Sequence, residues 1–207
     1  HQKILWVGTD RGLHRFNRNR ERFEPFRVND KKAIPVTSIL CIFEDTEKRI
    51  WIGSEKGLFR IDHSRRTIRQ MTGLEMVQSG LPLNPVRGIA SDHQDRIWII
   101  SSIGISLLQR NNSRFLFYPL PWKTGNGSEN TITAFAMDRD KEIWLGIRNR
   151  GLFRFDIETR TYRNYRDQDG KIDQLNQSYL FHILLDSDGV LWLSSISGLH
   201  CTHIKRR

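Results

Sequence analysis

Five tryptophans limit what this chain can fold into. Trp6, Trp51, Trp98, Trp144 and Trp192 stand 45, 47, 46 and 48 residues apart. Each lies between aliphatic residues, and in three copies a glycine follows (Gly8, Gly53, Gly146). A second glycine, followed by Leu or Ile, comes six residues after the tryptophan in four copies (Gly12, Gly57, Gly104, Gly198) and seven after it in the fourth (Gly151). Asp45, Asp92, Asp138 and Asp186 each precede a tryptophan by six residues. A fixed period of this length means that one supersecondary unit is repeated along the chain.

The unit itself is legible. An apolar run ends at the aspartate, a polar tetrapeptide with hairpin-turn chemistry follows, and the tryptophan run comes next. A third run starts at Gly-Leu, and an Arg/Thr/Tyr-rich fourth follows, such as Thr161-Tyr162-Arg163. We call these strands a, b, c and d. They are too short and too rich in β-branched and aromatic residues for helices. Four antiparallel strands in ~46 residues is the period of a β-propeller blade. A β-solenoid coil is usually shorter, and a β-sandwich does not repeat its sequence.

The expected fold is therefore all-β, a propeller segment of about 4.5 blades in one domain spanning 1–207. The repeats fall at 1–35 (strands b–d), 36–85, 86–130, 131–177 and 178–207 (strands a–c). The first copy lacks strand a and the last lacks strand d, which reads as a segment of a longer array. Its open blade faces should favour self-association or pairing with missing chain. A five-bladed ring is the alternative.

Composition narrows the function classes. Of 207 residues, 33 are Lys or Arg and 23 Asp or Glu, a formal charge of +10 that points toward anionic partners. No apolar run approaches the ~18–20 residues of a membrane span. His1-Gln2-Lys3 leads straight into Ile4-Leu5-Trp6, so no leader is expected. Two cysteines, Cys41 and Cys201, fall on different strands of different copies and are expected as free thiols. There is no Gly-x-Ser-x-Gly elbow, phosphate loop or His-Glu-x-x-His. His200 and His203 are expected on opposite faces of one strand, so no metal is assigned. No basic helix or RNA-binding motif accompanies the charge, so no nucleic acid is expected, and no cofactor.

The phrase Asp-x5-Trp-Ile-Gly-x3-Gly-Leu-Phe-Arg, complete at Asp45 to Arg60, resembles the two-component regulator propeller repeat. The junction Gly80-Leu81-Pro82-Leu83-Asn84-Pro85-Val86 is similar to that family's passage from blade to blade. The third copy departs from it at Ile100 and the fifth at Ser194. The resemblance implies the periplasmic sensor region of a hybrid two-component system of Bacteroides-like bacteria. It also implies ligand sensing, typically of glycan fragments, relayed to a kinase. The kinase and receiver parts are not in these 207 residues, so no phosphotransfer activity is carried over and any membrane attachment lies outside them.

Residues that recur in every copy serve the blade. Trp6, Trp51, Trp98, Trp144, Trp192, Asp45, Asp92, Asp138 and Asp186 are therefore expected to be structural. Specificity should lie where copies differ, on the face shared by the d–a and b–c loops. The fourth b–c loop is one residue longer and carries Arg148, Asn149 and Arg150. Arginine binds a carboxylate or sulfate bidentately, and asparagine both donates to and accepts from sugar hydroxyls. Arg11, Glu55 and Lys56 occupy the b–c loops of the first two copies. Trp122, the tryptophan outside the period, precedes Gly125-Asn126-Gly127 and is placed to stack on a sugar ring. His182 stands where the other copies have Cys41, Gly88 and Ala134, and is a further residue to locate.

Three readings compete. The first is a sensor segment that binds a glycan, acidic in view of the charge. The second is an interaction or dimerisation scaffold whose partner is the remaining blades or a second copy. The third is an enzyme, which would need paired carboxylates on the loop face; Asp10, Glu55 and Glu129 are scattered there.

Overall fold

The structure, a computed structural model, describes residues 4–28, 32–33, 37–64, 67–71, 85–109, 114–122, 131–138, 141–165 and 179–204. All regular structure among them is strand. The first sheet contains β1 (Trp6–Thr9), β2 (Gly12–Asn17) and β3 (Arg22–Pro25), and a small hairpin of β4 (Arg27–Val28) and β5 (Lys32–Ala33) follows. The second sheet contains β6 (Ile39–Glu44), β7 (Ile50–Ser54), β8 (Gly57–Ile61) and β9 (Ile68–Gln70). The third contains β10 (Val86–Ser91), β11 (Ile97–Ser101), β12 (Gly104–Gln109) and β13 (Arg114–Pro119). The fourth contains β14 (Ile132–Asp138), β15 (Glu142–Ile147), β16 (Gly151–Asp156) and β17 (Thr161–Asn164). The fifth contains β18 (Leu180–Leu185), β19 (Val190–Ser195) and β20 (Gly198–His203). The five sheets of three, four, four, four and three strands match the count read from the repeat, and the order within each is a simple meander. The β4–β5 hairpin was not foreseen.

The recurring aspartate builds the a–b turn and clamps the tryptophan. Asp45 accepts the Arg49 backbone N–H on Oδ1 at 2.8 Å and the Trp51 indole N–H on Oδ2 at 2.7 Å. Asp186 repeats this with the Val190 backbone N–H at 2.8 Å and the Trp192 indole at 2.8 Å. These bonds, the indole bond foremost, hold the Asp186 carboxyl below its usual value. The fourth copy departs from the pattern. The buried Trp144 indole nitrogen has no hydrogen-bond partner among the described residues.

The chain forms two compact units. One holds 1–91, 95–101 and 106–117; the other holds 92–94, 102–105 and 118–207. Within the first, β6 packs on β1, and β10 packs on β6 and β7; within the second, β18 packs on β14 and β15. The glycine after Trp makes this stacking possible. A Cβ at Gly53 would stand 2.6 Å from the Val86 carbonyl oxygen, and one at Gly146 would stand 2.8 Å from Leu180 Cβ. Gly8 meets Ile39 in the same way. Thus the first residue of strand a seats in the preceding sheet's glycine niche. The apolar cores follow: Trp51 and Leu58 pack with Val86 and Ile89, and Trp144 and Leu152 pack with Leu180 and Ile183.

Every strand a breaks its register at one place. The shift falls between Ile39 and Cys41, Val86 and Gly88, Ile132 and Ala134, and Leu180 and His182. One residue is bulged out each time, which bends the strand. His182 lies exposed beyond its bulge, and Cys41 and Cys201 are free thiols. Burial pushes the Cys41 thiol up to about 12, so it is no nucleophile at neutral pH.

Candidate functional site

The b–c turns of the first, second and fifth sheets share one device. A hydroxyl at the end of strand b bonds the glycine carbonyl that opens strand c: Thr9 to Gly12 at 3.1 Å, Ser54 to Gly57 at 2.9 Å, Ser195 to Gly198 at 3.4 Å. The same oxygen accepts a backbone N–H within the turn, from Arg11, Lys56 and Ser197. The glycines have φ of 107°, 100° and 119°, a left-handed region unfavourable to side chains.

The fourth turn cannot use this device, because Ile147 stands where the hydroxyl would be. The turn closes instead through the Arg150 N–H, which donates to the Ile147 carbonyl at 3.0 Å, with Asn149 at φ 59°. Asparagine is among the few non-glycine residues that take this conformation readily. The Arg148 N–H donates to the Thr131 carbonyl at 2.9 Å, tying the turn to the approach into β14. The extra residue and the lost cap direct two arginines to opposite sides of Asn149.

Both arginines lie over aromatic rings. The Arg150 guanidinium is 4.4 Å from the Trp122 ring centroid, and that ring packs at 5.1 Å against Phe153. The Arg148 guanidinium is 5.5 Å from the Tyr179 centroid, and Tyr179 packs at 5.1 Å against the exposed Phe181. Trp122 leaves strand d of one repeat and Tyr179 enters strand a of another. The b–c turn of the fourth sheet therefore shares a face with Trp122 and Tyr179, the described ends of two d–a connections.

Of the residues singled out from sequence, Trp122, Arg148, Asn149 and Arg150 come together. Arg11, Glu55 and Lys56 are exposed on the corresponding turns of the first and second sheets, in the other compact unit. Gly125-Asn126-Gly127 and Glu129 lie outside the described residues, as do residues 80–84 of the blade junction. Tyr179 and Phe181 were missed. The signal for Tyr179 was its position just before a strand a, next in chain order after the arginine turn.

A guanidinium over an aromatic ring is attracted by the negative face of the ring. A cation held over an aromatic ring is also held in direction, so less side-chain freedom is lost when an anion binds. Two such groups on one turn form a surface suited to a carboxylate or sulfate. Other perturbed groups serve the fold. Burial raises Glu142, which pairs with Arg154 at 2.8 Å, and raises Tyr162, whose hydroxyl donates to the Tyr118 carbonyl at 2.6 Å. No group of three or more His, Cys, Asp or Glu capable of holding a metal occurs among the described residues.

Residues 33–56 match the family described as two component regulator propeller, the stretch from β5 through strands a and b of the second sheet. This match overlaps the repeat phrase that begins at Asp45, through Lys56. Among solved structures, the chain is similar to the extracellular domain of a putative hybrid two-component system from B. thetaiotaomicron. The TM-score is 0.75 at 18% identity, over 100% of this chain and 26% of that one. It is also similar to PorZ of the type-IX secretion system of Porphyromonas gingivalis, with TM-score 0.65, 15% identity, 97% of this chain and 31% of that one. A streptogramin B lyase gives TM-score 0.64 and 16% identity over 100% of this chain and 67% of that one. At these identities the likeness establishes the propeller fold. The chain spans about a quarter of the length of the Bacteroides domain. No protein of curated function matches the sequence.

Proposed function

We propose that this chain is a ligand-sensing propeller segment of an extracytoplasmic two-component receptor. It recognises an acidic glycan fragment and relays occupancy to a kinase outside these residues. One observation carries the ligand assignment: Arg150 over the Trp122 ring and Arg148 over the Tyr179 ring, on the loop face of the fourth sheet. The repeat match at 33–56 and the shared fold with the extracellular domain of a putative hybrid two-component system support the receptor context. The likeness to a lyase reflects a fold used for both binding and catalysis, and it assigns no chemistry here.

Calorimetric titration with uronate- or sulfate-bearing oligosaccharides, set against neutral ones of equal length, tests this reading. Acidic saccharides should bind with a salt-dependent affinity. Arg150→Ala and Trp122→Ala should each weaken binding by about tenfold or more, the scale expected when a charge-assisted contact is lost. Equal binding of neutral and acidic saccharides, or binding unchanged in both variants, contradicts it. The scaffold reading draws on a different observation, the exposed apolar side chains of the fifth sheet.

A further inference from the structure

Strand c carries an arginine three residues after its opening glycine in three sheets: Arg15, Arg60 and Arg154. On β8, Arg60 is half-buried and lies in register between Trp51 on β7 and Arg69 on β9, so the three side chains share one face. Its guanidinium stands 5.5 Å from the Trp51 ring centroid. Arg69 is exposed on the outer strand of the sheet, which leaves the pair accessible from that side. Withdrawing a cation from water is costly unless an anion or hydrogen-bond acceptors meet it.

The repeat shows how the other copies meet this arginine. In the fourth sheet, Glu142 stands two residues before the tryptophan and pairs with Arg154 at 2.8 Å. In the first sheet, the strand-d register partner of Arg15 is Glu24. The second sheet has an arginine at both places: Arg49 two residues before Trp51, and Arg69 opposite Arg60. The nearby carboxylates are engaged by Arg49, Asp45 at 2.6 Å and Glu47 at 2.7 Å. Burial first, then the Arg49 and Arg69 charges, hold the Arg60 guanidinium below its usual value, and the two arginines outweigh Asp45 and Glu47.

We infer that Arg60 and Arg69 form an anion site, distinct from the Arg148–Arg150 turn, that takes a dianionic tetrahedral oxyanion: free sulfate or phosphate, or the phosphoryl group of a larger molecule. Two neighbouring guanidiniums carry two positive charges, which one dianion balances and one carboxylate does not. The ligand supplies here the negative charge that Glu142 supplies in the fourth sheet.

The test follows the arginine Nε–Hε signals of the chain by NMR, with Arg60 assigned from the signal lost in Arg60→Lys. Sodium sulfate, sodium phosphate, methyl phosphate and sodium acetate are titrated at an ionic strength held constant with sodium chloride. Sulfate and phosphate should shift the Arg60 and Arg69 signals saturably, and acetate should bind at least about tenfold more weakly. Methyl phosphate binding as well as phosphate supports the phosphoryl group of a larger molecule; binding about tenfold weaker supports the free ion. Arg69→Glu reproduces the Arg15–Glu24 pairing on an exposed strand and should abolish the saturable Arg60 shift while the backbone amide spectrum stays folded. The milder Arg69→Gln should weaken sulfate at least about tenfold. Arg150→Ala should leave sulfate binding unchanged, which keeps this site apart from the acidic-glycan reading. An Arg60 shift that never saturates, that persists in Arg69→Glu, or that acetate produces as readily as sulfate overturns the inference.

Discussion

At the residue scale, the aspartate-to-tryptophan clamp explains why two positions six apart recur together. A turn needs its backbone N–H bonded, and a tryptophan buried between sheets needs its indole N–H bonded; one carboxylate does both. Trp51 gains more, because Arg49 and Arg60 lie 5.6 and 5.5 Å from its ring centroid. Trp144 is equally buried but its indole nitrogen has no partner among the described residues. The two tryptophans should therefore respond differently to the same change. Trp51→Phe loses a hydrogen bond to a charged acceptor, worth about 1.5–3 kcal/mol, in addition to lost packing. Trp144→Phe loses packing and removes a donor that had no acceptor. Urea denaturation should show Trp51→Phe the more destabilising by about 1–2 kcal/mol. Equal losses would mean that the clamp contributes nothing.

At the scale of the element, much of the fold was legible because each requirement falls on one residue type at one spacing. The aspartate marks the end of strand a, the tryptophan marks strand b, and the second glycine opens strand c at positive φ. The bulge in strand a was not legible. Its position is held by Leu40, Arg87, Thr133 and Phe181, which share no chemistry, because the bulged residue answers to backbone register. The fourth b–c turn was legible as an insertion of one residue, but its cause, the missing hydroxyl at Ile147, has meaning only once the capping in the other turns is seen. Tyr179 was missed for a related reason: its place before a strand a was readable, but its partner Arg148 is distant in sequence and chosen by the fold. If the insertion makes the site, removing it should unmake the site. Deleting Asn149 restores the six-residue Trp-to-Gly spacing and draws Arg150 away from Trp122. Calorimetry on this variant should show loss of acidic-saccharide binding, with a thermal midpoint lowered by only a few degrees. Retained affinity would separate the insertion from recognition.

At the scale of the whole molecule, a repeat allows most of the chain to be identical in purpose and a small part to be individual. The sheets and their glycine niches are the common part. The individual part is the Arg148–Arg150 turn with Trp122 and Tyr179, and it sits where strands of three successive repeats end or begin. Under the proposed function, a ligand there would meet side chains carried on sheet termini that the fold already holds in place. The most direct test of this account is hydrogen–deuterium exchange of the chain with and without a sulfated or uronate-bearing oligosaccharide at saturating concentration. The account predicts slowed exchange at residues 147–151 and 118–122, with the turns at 9–12 and 54–57 unchanged. Protection confined to those other turns, or no change anywhere, would contradict it.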